Sequence, residues 1–180
     1  RSRIQENAPK NFHISLPGVL LINSKSQGGK SHLGHCIMYN HRKQFAWGVS
    51  FSQSGFNVEN LSYVPGKFKH IRYSPLVLKA LLMEQAKLIN AGHKAPLVYI
   101  IFDDAITDID PEDKVLKEAI TQSKHYNIFI LITTQSINAL PTWIRENAFQ
   151  ICLFKMWTES AIEAAYRSYG QNHGNVKEFK

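Results

Sequence analysis

The chain has 180 residues, 44% of them hydrophobic and 19% charged, an ordinary globular balance that excludes wholesale disorder and suffices for one domain with a buried core. Its net charge of +7 and pI near 9.4 allow a polyanionic partner, because lysine and arginine release counterions from phosphates, but they suit a solvated basic face as well. No apolar run is long enough to cross a bilayer or act as a secretory signal, and the only cysteines, Cys36 and Cys152, suit reduced thiols in an intracellular protein.

Residues 1–11 read as an irregular arm, 12–170 as one domain and 171–180 as a tail, and the opening at Arg1 reads as a trimmed piece of a longer protein. Phe12 to Leu16 is expected to be a short strand before a turn at Pro17 and Gly18. The apolar run Val19 to Ile22 then predicts a strand, Ser24 to Gly29 a polar glycine-containing loop, and Lys30 onward a helix with Leu33, Cys36 and Ile37 on one face. Gln44 to Phe51 reads as a second strand, followed by a loop around Ser54 and Gly55, and Lys67 to Tyr73 as a third strand with a basic exposed side. Ser74 as N-cap and Pro75 at the first helical position start a helix striped by Leu78, Leu81, Leu82 and Ile89 and stopped at Gly92.

Pro96 to Phe102 is a continuous apolar run, as in a strand covered on both faces, and ends in Asp103 and Asp104. Asp110 and Pro111 predict the next helix start, with Lys124 and His125 near its end. Asn127 to Thr134 is another buried strand, ending at Gln135. A short helix over Thr142 to Asn147, a strand over Phe149 to Phe154 and a helix from a Thr158 cap to Tyr169 complete the order. Strands alternating with helices imply an α/β fold, a mainly parallel twisted sheet with helices on both faces.

In such a sheet the loops at the carboxyl ends of the strands form the crevice that holds a ligand. The first strand ends in a loop close to the phosphate-binding pattern GxxxxGK[ST], with Ser24 where that pattern has its first glycine. Backbone N–H groups of Ser24, Lys25, Ser26, Gln27, Gly28 and Gly29, with Lys30, Ser31 and His32 at the helix start, would cradle a triphosphate. Lys30 would neutralise the outer phosphates, and Ser31 and Asp103 would hold Mg²⁺. Asp104 would orient or deprotonate a water, and Gln135 would contact both water and γ-phosphate. The plainer alternatives are a strand-to-helix turn and acidic caps on a loop.

The succession SKSQGGKS, VYIIFDD, ITTQ and PTWIREN resembles the FtsK/HerA superfamily of P-loop ATPases, especially viral genome-packaging ATPases of the poxvirus-like type, with relatives in giant viruses, virophages and Polintons. The resemblance covers about residues 16–168. It implies a RecA-like (ASCE) core with the Gln135 strand between the phosphate-loop and Asp103 strands. It also implies ATP and Mg²⁺ as ligands, and a ring of identical subunits, usually a hexamer, moving double-stranded DNA into a capsid. Portal or vertex proteins would be further partners, and the setting would be virion assembly in an infected cell. Arg145 is the first candidate for an arginine finger, Arg167 the second and Arg72 the third; no arginine lies between Arg72 and Arg145. Ser24 and the short acid Asp104 depart from the family's usual residues. A P-loop kinase and a nucleotide-binding subunit without turnover are the rival readings.

His32 and His35 share a helix face without a third ligand spaced to match, so zinc is not expected. Trp47, Trp143 and Trp157 read as core or interface anchors, and Phe12, Tyr166 and Tyr169 as residues that could border an adenine.

Overall fold

The computed structural model describes residues 13–52, 64–156, 158–170 and 174–179; the expectations for the arm over 1–11, Phe12, the loop at Ser54 and Gly55, and Trp157 lie outside these residues. Six strands form one parallel sheet: β1 (Gly18–Asn23), β2 (Trp47–Ser52), β3 (Lys69–His70), β4 (Val98–Asp103), β5 (Ile128–Thr134) and β6 (Gln150–Leu153), in the order β3-β2-β4-β5-β1-β6. β5 therefore lies between the phosphate-loop strand β1 and the acid-bearing strand β4, as the resemblance implied.

Buried residues cover both faces of the sheet, which is why β1, β4 and β5 read as unbroken apolar runs. One face carries Leu20, Ile22, Ile101, Phe129 and Leu131 and packs against Ile37 and Met38 of α1 (Lys30–His41). The other carries Val19, Leu21, Ile100, Phe102, Ile130 and Ile132. It packs against α2 (Pro75–Asn90), α3 (Lys114–Thr121) and α4 (Thr142–Asn147) through Leu78, Leu81, Leu116, Ile120 and Ile144. Trp47 and Trp143 are half-buried against this second cluster. The chain continues through α5 (Glu159–Ala165), a wide turn at Tyr166–Gly170 and the short α6 (Val176–Phe179).

Several expected boundaries move for identifiable reasons. Residues 13–16 form no strand; the Gln150 side chain replaces a backbone ladder there, its Oε1 accepting from Ser15 N at 2.7 Å and its Nε2 donating to His13 O at 3.3 Å. The second strand begins at Trp47 because Arg42–Gln44 forms a 3₁₀ turn. Only Lys69 and His70 pair in the third, after a 3₁₀ turn at Gly66–Phe68, and Ile71 is exposed. The helix expected at Asp110 starts at Lys114: Asp113 Oδ1 accepts from the N–H groups of Val115 and Leu116, both at 2.9 Å, whereas Asp110 caps only a turn. Ser74 and Pro75 begin α2 as expected, and Thr158 caps α5 through Ala161 N. α5, expected to run to Tyr169, gives way to a π-type turn at Tyr166. Cys36 is buried and Cys152 half-buried, and the two do not form a disulfide.

β2 approaches β4 closely at Gly48, where a Cβ would lie 2.3 Å from the carbonyl oxygen of Tyr99 and 2.4 Å from its ring. Overpacking of this kind costs about 1–3 kcal/mol, so Gly48→Ala should lower the unfolding free energy by about that amount, seen as a lower urea midpoint with an unchanged slope.

Candidate functional site

The parallel register aligns the ends of the three central strands: Asn23 pairs with Thr134, and Asp103 with Thr133. The loop after β1, the acids ending β4 and the residues ending β5 therefore share one edge of the sheet. Ser24 N–H and the Asn23 side-chain amide both donate to Thr134 O, at 3.1 and 3.2 Å, fastening the loop's start to β5.

The loop then turns sharply. Gln27 has φ +60° and Gly29, the residue before α1, has φ +95°, a left-handed geometry that favours glycine. A turn so shaped leads straight into the N-terminus of α1, where unpaired backbone N–H groups and the helix dipole favour an anion. Ser24, the departure from the usual glycine, is 3% exposed and its hydroxyl donates to Lys25 O at 3.2 Å. That hydroxyl stands 1.8 Å from where a Cβ on Gly28 would lie. The serine is accommodated because position 28 has no side chain.

Lys30 is almost wholly buried, and its Nζ pairs with Asp104 Oδ2 at 2.8 Å. The same carboxylate oxygen accepts from Gln135 Nε2 at 3.4 Å. Asp103, 1% exposed, accepts from Ser31 Oγ at 2.8 Å and Thr133 Oγ1 at 2.6 Å on Oδ1, and from Ser52 Oγ at 3.5 Å on Oδ2. Lys30, Ser31, Asp103, Asp104 and Gln135, chosen from separate stretches of sequence, thus form one connected cluster. The Ser31 hydroxyl beside a carboxylate is a hard oxygen pair suited to Mg²⁺. Among the described residues no three histidine, cysteine, aspartate or glutamate side chains converge as a metal cage, so the rest of an ion's shell here would come from water or ligand oxygens.

His32 is exposed, with Nε2 3.6 Å from Cys36 Sγ. His35 is buried; desolvation lowers its pKa, Asp103 opposes that shift and His32 adds to it, so the imidazole stays neutral at pH 7.

Arg145 lies away from this cluster, with Nη1 donating to Ser168 Oγ and Nη2 to Thr142 Oγ1, both at 3.0 Å. It lines a cleft of about 380 Å³ with Asn138, Ser160, Glu163 and Arg167. Arg167 is 77% exposed, 3.5 Å from Glu163. Arg72 lines a different cleft, of about 710 Å³, beside Tyr73, Asp110 and Asp113.

The architecture has counterparts among solved structures. The genome packaging NTPase B204 of Sulfolobus turreted icosahedral virus 2, in complex with ATP-gammaS, superposes with a TM-score of 0.63 at 12% identity over 93% of this chain and 88% of that one. EssC (ATPases 2 and 3) from Geobacillus thermodenitrificans gives 0.67 at 12% identity, over 88% of this chain and 35% of that one. The pCW3 conjugation coupling protein TcpA, with ATPgS, gives 0.60 at 17% identity over 91% and 54%. The fold is that of the RecA-like P-loop NTPases. That fold is the one the motif resemblance implied for the described residues. No family model and no curated protein sequence matches the chain.

Within this P-loop NTPase fold, the sequence reading missed Phe154. Its N–H donates to Asn23 O at 3.0 Å, and its ring lies 3.7 Å from where a Cβ on Gly29 would stand, making it an immediate neighbour of the loop. Only the pairing of β6 beside β1 brings it there, and nothing in local spacing signals that. Of the residues expected to border an adenine, Tyr166 donates to Gly174 O and Tyr169 packs into the main core, where burial pushes its phenol up to about 12.

The interlock of Ser24 with Gly28 predicts non-additive substitutions. Gly28→Ala should displace the Ser24 hydroxyl and weaken binding of a non-hydrolysable ATP analogue by about tenfold, or ~1.4 kcal/mol, and adding Ser24→Gly should recover most of that loss. Equal losses in single and double variants by calorimetry would refute the interlock.

Proposed function

We propose that the chain is an ATP-hydrolysing subunit of a DNA-translocating motor, one that packages viral or transposon double-stranded DNA into a capsid. The observation that carries the enzymatic part is the convergence of Lys30, Ser31, Asp103, Asp104 and Gln135 at the end of the phosphate loop. The packaging role is supported by the motif resemblance, by the fold shared with B204 and TcpA, and by the basic balance of the chain.

The geometry suggests how these residues would act. Lys30 is held by Asp104, and the two have a natural exchange: the ammonium would turn to the β- and γ-phosphates, leaving the Asp104 carboxylate to accept a hydrogen bond from the attacking water. Gln135, already within reach of Asp104, would hold that water in line with the γ-phosphorus. Ser31 and Asp103 would hold Mg²⁺, which supplies charge neutralisation to the phosphate oxygens.

An arginine from a neighbouring subunit would complete the site in a ring, usually a hexamer in proteins of this type. Arg145 is favoured by the motif resemblance, while Arg167 in the same cleft is the more exposed; Arg145 spends both terminal nitrogens within its own subunit. Portal or vertex proteins of the capsid would be the further partners. A second reading, a nucleotide-binding subunit without turnover, draws on the Ser24 hydroxyl inside the phosphate loop.

Specific ATPase activity should rise with protein concentration and with added duplex DNA; flat activity under both would refute the motor. Lys30→Ala should abolish hydrolysis. Asp104→Asn should lower kcat by about 10²-fold or more while an ATP analogue still binds, as expected for loss of a water-orienting group. Phosphate release and equilibrium binding measured side by side separate the two readings, since a non-hydrolysing subunit binds without releasing phosphate. A trans arginine would show as activity regained when Lys30→Ala subunits are mixed with Arg145→Ala or Arg167→Ala subunits, and only the arginine acting in trans would complement. Its loss typically costs ~10³ or more in rate.

A further inference from the structure

Thr133 is the last but one residue of β5, 1% exposed, and its two side-chain branches point to different neighbours. The hydroxyl donates to Asp103 Oδ1 at 2.6 Å and accepts from the backbone N–H of Asp104 at 3.1 Å; that same N–H also reaches Thr133 O at 3.3 Å. The methyl lies on the side of α1, 3.7 Å from where a Cβ on Gly34 would stand.

Asp104 has φ +52°, a left-handed conformation that costs an L-residue about 1 kcal/mol or more and persists only where surrounding contacts enforce it. The turn sends consecutive carboxylates to different partners, Asp103 to Ser31 and Asp104 to Lys30. The Asp104 N–H donates to Thr133, so one hydroxyl, donating to the first acid and accepting from the second, restrains the side chain of Asp103 and the backbone of Asp104. We infer that Thr133 is a positioning residue for both acids, coupling the strand that carries Gln135 to the Ser31–Asp103 pair. This rests on the ATPase reading given above.

A hydroxyl with this role separates cleanly from a packing role, because valine keeps the methyl and serine keeps the hydroxyl. Thr133→Val is expected to lower kcat by at least about tenfold with KM within about threefold. It should also reduce the gain in affinity for a fluorescent ATP analogue when Mg²⁺ replaces EDTA, leaving affinity in EDTA close to that of the unchanged chain. Thr133→Ser should restore both kcat and the Mg²⁺ gain. The opposite order, valine active and serine impaired, assigns Thr133 to packing against α1 and overturns the inference, as does a valine variant with unchanged kcat and unchanged Mg²⁺ gain. If thermal unfolding shows that the valine variant does not fold, the serine variant decides: full activity and Mg²⁺ gain support the hydroxyl, and loss of either refutes it. Should the unchanged chain bind ATP analogue without hydrolysing ATP, the ATPase reading falls, and the Mg²⁺ gain in binding still tests Thr133.

Discussion

Two consecutive aspartates at the end of a strand that is otherwise wholly apolar carry an electrostatic cost, because each repels the other and both are drawn partly out of water. The chain meets that cost with a lysine, three hydroxyls and a backbone reversal. Lys30 takes one carboxylate, Ser31, Thr133 and Ser52 donate to the other, and the left-handed turn at Asp104 separates the two directions. Those donors come from α1, β5 and β2, so the placement of the acids depends on the order and register of the sheet. The parallel arrangement is thus a condition of the site as well as a way of burying apolar surface.

The central position of β5 has a mechanical meaning as well. It hydrogen-bonds to both the phosphate-loop strand and the acid strand, and its end supplies Thr133 to the acids, Thr134 O to the loop and Gln135 to Asp104. A displacement of β5 along its axis would therefore be felt at the loop and at both carboxylates together. The central strands thus fix the acids and the loop together. Arg72 follows the two-residue edge strand β3, and Arg145 and Arg167 line a separate cleft with Asn138, Ser160 and Glu163.

What was legible in the sequence follows from which forces are local. β1, β4 and β5 stood out because burial on both faces leaves no polar interruption, and α2 because Ser74 and Pro75 specify its start within two residues. The start of α3 was misread for a reason of the same kind. Asp110 and Pro111 have the composition of a cap, but only the Asp113 side chain reaches two unpaired N–H groups. The participants of the site were legible as strand endings, whereas their connections were not: Ser31 and Asp103 are 72 positions apart, and Thr133 and Asp103 are 30. The orientation of the Ser24 hydroxyl and the proximity of Phe154 to the loop likewise depend on contacts that no periodicity encodes.

The left-handed backbone at Asp104 has an evolutionary corollary. Glycine would relieve the torsional strain there, but it would leave the buried Lys30 ammonium without its carboxylate, a loss that outweighs the roughly 1 kcal/mol of relieved strain. The carboxylate at position 104 is thus held in place by the electrostatics of a neighbouring helix even where the backbone alone would favour another residue.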